Sequence, residues 1–315
     1  MTDSKGFLYK YLPAELADVV FTEDNHVTIK FSKPKDFNDP YELFLDTDFG
    51  GDPEMLAYYA EAIGDLPQLP TTCFSRSPVV MPMWAHYAYN HIGFVIEFSE
   101  EAIREEFEES RFDDVKYTDG PSHDFSDLVA RILHIGKPRY TYFLQGAVFN
   151  AAYFTKSTCW SYEQERRMVV RNSDVITSGD LMLMNISDKC VSSIICGARA
   201  TLETKDKLQE VAEKFSAEYY ELRIGRTSAI PYLVDRRGGI HSFTNSEIEF
   251  SKNYCASCSE PIEQDNKECI WCQITDDTKM EAAVRNPFRI IDSYGGLEEY
   301  IRQMDAVGRA VKTKK

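Results

Sequence analysis

Four cysteines near the C-terminal end stand at the spacing C-x2-C-x10-C-x2-C, as Cys255, Cys258, Cys269 and Cys272. A two-residue gap lets two thiolates from one tight turn take adjacent corners of a tetrahedron, and two such turns complete an all-thiolate shell. The expected occupant is one structural zinc ion. With four protein ligands no position remains for water, so the ion folds a segment too short to hold a core by itself and catalyses nothing. The competing reading is four unrelated thiols. The intervening loop, Ser259 to Glu268, is more acidic than basic and gives no argument for nucleic acid.

Three further patches are dense in polar and aromatic side chains. The first is Phe37-Asn38-Asp39-Pro40-Tyr41-Glu42. The second runs through Phe74-Ser75-Arg76-Ser77 and Met83-Trp84-Ala85-His86-Tyr87 to His91-Ile92-Gly93. The third is Lys156 to Arg167, with Trp160, Glu163, Glu165 and Arg167 inside it. Each also has a plain structural reading. Glu163 to Arg167 would suit a solvated edge strand with cross-strand ion pairs. His86 and His91 would suit helix ends, Trp84 a core, and Asp39 the capping of a turn. Arg167 could simply pair with Asp39 or Glu42.

Taken in order, FNDPYE, MWxHYxxxHxG and WxxExExR resemble the motifs of a bacterial family of unknown function, over roughly residues 7–200. That family in turn is similar to the ADP-ribosyltransferases, including toxins of phage-defence and toxin–antitoxin systems that modify nucleic acid. The resemblance implies NAD as co-substrate. Its cofactor site would use Tyr9 and Lys10, with Lys10 in place of the usual Arg or His, the Ser75-Arg76-Ser77 element, and Asn38, Asp39, Trp84, His86 and Tyr87. Glu165 would steady the oxocarbenium-like ribose, and Glu163 would orient or deprotonate the acceptor. Trp84 and Tyr87 would stack on a ring of NAD, and Lys10 would meet the pyrophosphate. An RNA or DNA acceptor would need a local basic strip, for which Arg166, Arg167, Arg171, Arg236 and Arg237 are candidates; an antitoxin protein is a further possible partner. Two alternatives stay open. One is a nuclease with magnesium on Asp39, Glu42, Glu163 and Glu165 and with Lys156 on phosphate. The other is a non-catalytic ligand sensor or adaptor that docks through its zinc ribbon.

The elements that must position these groups read as a mixed α+β domain, similar to the ADP-ribosyltransferases in its sheet and flanking helices. Strands are expected at Phe7–Tyr11, Val27–Phe31, Thr71–Ser75, Gly93–Phe98, Met168–Val170, Ser193–Cys196 and Glu218–Leu222. Helices are expected at 53–64 with Asp52 as N-cap, at Met81–Asn90, Glu100–Ser110, Phe125–Gly136, Tyr140–Phe154 and 201–215. Glu100, Glu101, Glu105 and Glu106 are read as exposed. The domains are placed at 1–225 for the α+β domain, 226–280 for the zinc ribbon after a loop or hairpin at 225–250, and 281–315 for a last amphipathic helix carrying Leu297, Ile301, Met304 and Val311.

The 315 residues carry 51 acidic against 35 basic side chains, a formal charge of −16, which repels polyanions unless cations cluster locally. No apolar run approaches the roughly 18 residues of a membrane span, and Met1 to Tyr11 lacks a signal-peptide core, so a cytoplasmic protein with no membrane partner is expected. Cys73, Cys159, Cys190 and Cys196 sit in apolar surroundings and are read as buried thiols rather than disulfides in a reducing cytosol.

Overall fold

The computed structural model describes residues 6–22, 25–43, 52–120, 125–262 and 266–312. It divides into two compact units, Met1–Ser251 and Lys252–Lys315.

In the first unit the strands are, in chain order, β1 (Phe7–Leu12), β2 (His26–Phe31), β3 (Thr71–Ser75), β4 (Phe94–Ser99), β5 (Arg111–Asp114), β6 (Lys116–Tyr117), β7 (Thr155–Lys156), β8 (Glu165–Val169), β9 (Ile176–Ser178), β10 (Leu181–Ser187), β11 (Val191–Cys196), β12 (Glu218–Arg223), β13 (Tyr232–Asp235), β14 (Ile240–Thr244) and β15 (Glu247–Phe250). The helices are α1 (Ala17–Val20), α2 (Pro53–Ile63), α3 (Met81–His86), α4 (Glu100–Glu106), α5 (Ser126–Ile135), α6 (Pro138–Tyr153) and α7 (Leu202–Lys214). Ten strands form one sheet in the order β15-β14-β13-β12-β11-β4-β1-β3-β8-β5. The β11–β12 pair is parallel, with α7 as its crossover, and the other pairs are antiparallel, which makes this a mixed α+β unit. Among the described residues no helix is long and apolar enough to cross a membrane.

Alternation along each strand sorts side chains between the faces of the sheet. On β1, Leu8 and Leu12 join a large core with Phe74, Met168, Ile96 and Ile194, to which β2 and β10 add Val27, Ile29, Phe31, Met184 and Ile186. Tyr9 and Tyr11, from the alternate positions, join a second core with Met83, Trp84, Val95 and Leu233. Central β4 is buried along almost its whole length, so its sequence does not alternate and is apolar from Phe94 to Phe98 except for Glu97, whose buried carboxylate accepts from the Tyr9 hydroxyl. Helices α2, α5 and α6 bury Val129, Ile132, Leu144 and Val148 among themselves. The expected Asp52 cap is present, its carboxylate accepting from the amide of Glu54 at 2.9 Å.

Several expectations are corrected. Of the loop or hairpin expected at 225–250 the hairpin is present: β13, β14 and β15 pair antiparallel in succession and extend the main sheet, and the two compact units divide after Ser251. The aromatic and acidic mix of that stretch hid its alternation. Helix α3 stops at His86, because Tyr89, Asn90 and His91 adopt left-handed φ values of 44°, 56° and 69° in the turn that follows. Glu100 is buried rather than exposed, with Arg76, Arg104 and Arg166 all bonded to its carboxylate. Among the described residues the second unit carries three helices, α8 (Asp276–Arg285), α9 (Pro287–Ser293) and α10 (Leu297–Lys312), where one was expected. The side chain of Val311 lies outside the described residues.

Gly93 and Gly197 are required by close backbone approach. A Cβ on Gly93 would lie 2.1 Å from the carbonyl oxygen of Leu12, and one on Gly197 would lie 2.3 Å from that of His91. The amide of Gly197 donates to Gly93 across this crossing at 2.9 Å. Gly93→Ala or Gly197→Ala is therefore expected to lower the unfolding free energy by about 1–3 kcal/mol or more, read from the urea midpoint.

Candidate functional site

A chain reversal brings the two glutamates of the third motif together. A 3-10 turn, Thr158–Glu163, ends at Gln164 in the left-handed region, with φ of 46°, and β8 begins at Glu165. Glu163 and Glu165 therefore converge through a tight turn and not, as alternation would have it, along an extended segment. Both are buried, and both reach the ammonium of Lys156, at 2.7 and 3.2 Å.

Around them lies a buried ionic cluster. Arg167, fully buried, donates from Nε to Glu165 at 2.6 Å and from its two terminal nitrogens to Glu42 at 2.8 and 2.7 Å. Its Nη1 also donates to the carbonyl of Tyr153 at 2.9 Å. The Lys156 ammonium lies 3.7 Å from Glu42 and 4.7 Å from the centre of the Trp160 ring. The Tyr87 hydroxyl donates to Glu163 at 2.5 Å, and the Asn38 side chain bonds Tyr87 in turn. The Tyr117 hydroxyl accepts from the amide of Glu165 at 2.8 Å, which fixes the start of β8.

The two glutamates titrate apart. Burial pushes Glu165 up, but the Arg167 guanidinium and Lys156 ammonium outweigh it and hold the carboxyl at about 2. Burial dominates at Glu163, and with the neighbouring charge of Glu165 it raises the pKa against the pull of Lys156. Burial likewise raises Glu42. Three carboxylates thus share two direct cations, and Glu163 is the member of the glutamate pair that accepts a proton more readily.

The side chains expected at a cofactor fall into two groups. Asn38, Tyr87 and His86 lie at the rim: Asn38 and His86 are exposed, Tyr87 is half-buried, and His86 faces Tyr162 with ring centres 6.3 Å apart. Tyr162 in turn faces Trp160, also at 6.3 Å. The others are held inside the fold. Trp84 is 0 % exposed; its indole N–H donates to the Pro78 carbonyl at 2.7 Å and its ring packs on Tyr11 and His91, so it is a core residue, as its plain structural reading had it. The Tyr9 hydroxyl is bound to Glu97 at 2.8 Å. Lys10 is tied to Thr72 and the Cys73 carbonyl, each at 2.8 Å, and burial pushes its ammonium down. Asp39 accepts from the Tyr41 amide, and Ser75 and Ser77 accept from the amides of Ser77 and Val79, so all three shape turns.

Of the five cations expected in a basic strip, Arg237 is exposed and the other four are paired with acids. Arg166 binds Glu100, Arg167 is buried in the cluster, Arg171 pairs with Asp174 and Glu109, and Arg236 pairs with Glu213. Sequence reading missed Lys156 as the shared partner of both glutamates, and missed Tyr117 entirely. The Lys156 contacts depend on the turn at Thr158–Glu163, and the Tyr117 contact on β6 lying beside β7, neither of which spacing alone signals.

In the second unit, Cys255, Cys258, Cys269 and Cys272 bring their sulfur atoms within 4.8 Å of one another. Cys258 and Cys269 are 3.8 Å apart, matching the edge of about 3.8 Å for a tetrahedron with metal–sulfur bonds of about 2.3 Å. Two turns build the set: Ser259 donates back to the Cys255 carbonyl at 2.8 Å, and Cys272 and Gln273 donate to that of Cys269 at 3.0 and 3.1 Å. This cluster is within metal-binding distance.

A protein-family model described as a protein of unknown function (DUF2971) matches residues 83–168, from the start of the MWxHY motif to the end of WxxExExR. Neither a curated protein nor a solved structure matches the chain.

Proposed function

We propose that the chain is an NAD-dependent ADP-ribosyltransferase in which Glu163 handles the proton of the reacting hydroxyl and Glu165 is the fixed anion beside it. One observation carries this reading: in the buried cluster three carboxylates face two cations, and the glutamate pair is divided into one held ionised and one raised toward protonation. Paired carboxylates pushed apart in this way mark acid and base roles. As the bond from ribose to nicotinamide breaks, its electron pair leaves with nicotinamide, and the excess negative charge of the cluster steadies the growing positive charge on ribose. The acceptor oxygen then bonds to that carbon, and its proton passes to Glu163. Half-buried Trp160 and Tyr162 offer ring faces for the bases of NAD. The order of the three motifs supports the same class, and a bacterial toxin of phage defence or of a toxin–antitoxin pair is the setting that this likeness implies.

The magnesium-nuclease alternative is less well supported. Asp39 is engaged in a turn, and the position between Glu42, Glu163 and Glu165 is taken by the Lys156 ammonium.

Purified chain incubated with NAD should release nicotinamide, and Glu163→Gln should lose at least about 100-fold of that rate while melting like the parent. Unchanged turnover in the variant removes the assignment. Saturable NAD binding without product would favour a sensor, and magnesium-dependent RNA cleavage indifferent to NAD would favour a nuclease.

We also propose that the four cysteines hold a structural zinc ion, whose chemistry there is to fold the segment rather than to activate water.

A further inference from the structure

The chain is strongly acidic, yet no Asp or Glu occurs between Asp127 and Glu163, a stretch that spans most of α5, all of α6 and the approach to the site. Where α5 turns into α6, that stretch exposes Arg131, Lys137 and Arg139 together with His134. None of the three permanent cations makes an ion pair among the described residues. This sets them apart from Arg166, Arg171 and Arg236, which acidic partners neutralise.

Their proximity is visible at one side chain. The Arg139 guanidinium lies 4.9 Å from the centre of the Tyr140 ring and donates to its hydroxyl at 3.1 Å, and Lys137 and Arg131 add their fields at the same phenol. One turn along α6, Tyr142 is 73 % and Phe143 is 56 % exposed, with their ring centres 6.2 Å apart. The opposite face of the helix is committed to packing through Leu144 and Val148, so these rings are not core residues in waiting.

We propose that this corner of α5 and α6 binds single-stranded nucleic acid, with Arg131, Lys137 and Arg139 on phosphates and Tyr142 and Phe143 stacked on unpaired bases. Cations without acidic partners supply affinity for a phosphate chain in a molecule whose overall charge repels it. Exposed rings choose the single strand, since bases in a duplex present only their edges. From Phe143 the helix runs about 15 Å to its C-terminal end, beyond which lies Lys156, so a bound strand can extend toward the buried cluster. Binding here needs neither NAD nor turnover and stands whether or not the transfer reaction does.

The test is fluorescence anisotropy of a labelled 20-nucleotide single-stranded RNA, the same sequence as DNA, and its duplex, titrated with the full chain at several salt concentrations without NAD. Single strands should bind at least about tenfold more tightly than duplex. The triple variant Arg131→Ala, Lys137→Ala, Arg139→Ala should weaken that binding about tenfold or more and reduce the salt slope by roughly 2, at about 0.7 per phosphate contact. Tyr142→Ala with Phe143→Ala should remove the preference for single strands while leaving the slope unchanged. All five side chains are substituted at the surface, and a melting curve checks the fold. Absence of single-strand binding at low salt, an unaltered triple variant, or a triple variant that loses only binding to anionic lipid vesicles or to an acidic protein would overturn the proposal.

Discussion

Arg167→Met should lower the melting temperature of the first unit by roughly 6–20 °C, the shift expected for a loss of about 3–5 kcal/mol when a buried ion pair loses one partner. The size follows from how many groups depend on that guanidinium. It makes two bonds to Glu42, two to Glu165 and one to the Tyr153 carbonyl, in a place with no access to water. Removing it leaves Glu42 and Glu165 buried with Lys156 as the remaining ammonium within direct reach of both among the described residues. The pH dependence should change as well. In the parent, Glu165 is held at about 2, so its contribution is fully present above the unfolded carboxylate value of about 4.3 and is lost as pH falls toward 2. In the variant the carboxyl loses its largest favourable partner and protonates at higher pH, so the loss of stability on acidification begins at higher pH than in the parent. Calorimetry of both proteins at several pH values measures this; equal melting temperatures would show that the cluster is less tightly interdependent than its geometry implies.

If the four cysteines hold the proposed zinc ion, its removal should have a still larger local effect in the second unit. Structural zinc contributes on the order of 10–16 kcal/mol of apparent binding free energy in small thiolate sites. Helices α8 and α9 bury no residue, and Cys255 and Cys269 are among the few buried side chains of the segment, so little else holds it together. Chelation, or Cys269→Ser, should raise hydrogen exchange throughout Lys252–Lys315 and leave the transition of Met1–Ser251 in place. Metal analysis should find one zinc per parent chain and none in the variant. Slow exchange in the metal-free protein would mean that another core supports the segment.

Much of this arrangement is legible in the residue order, and the failures share a cause. The four-cysteine cluster, the early strands and the amphipathic helices are local patterns, where spacing alone decides which side chains share a turn or face. The pairing of Glu163 with Glu165 was visible as a motif, but its geometry depends on the left-handed Gln164, which alternation does not anticipate. Trp84 stood next to Tyr87 in a polar-aromatic patch and looked like part of the same surface. At the end of α3 they go separate ways: Trp84 turns into the core with Tyr11, and Tyr87, just past the helix, turns to Glu163. Lys156 and Arg167 were seen as charges, but whether a charge faces water or another charge is a tertiary fact. The same holds for Arg166 and Glu100, which looked like exposed ions and are each other's partners. The α5–α6 corner was hidden for the opposite reason. Its helical periodicity drew attention to the packed face, while its significance lies in the acids it lacks.

The most direct test of the central claim is the pH dependence of nicotinamide release from NAD by the parent and by Glu163→Gln and Glu165→Gln, each checked for folding. If Glu163 takes up the proton, parent activity should rise with pH through a limb above the usual carboxylate value of about 4.3, and that limb should vanish in Glu163→Gln, along with at least about 100-fold of the rate. Glu165→Gln should instead shift stability and the position of the limb. A Glu163→Gln enzyme that turns over at the parent rate with the same limb would contradict the account.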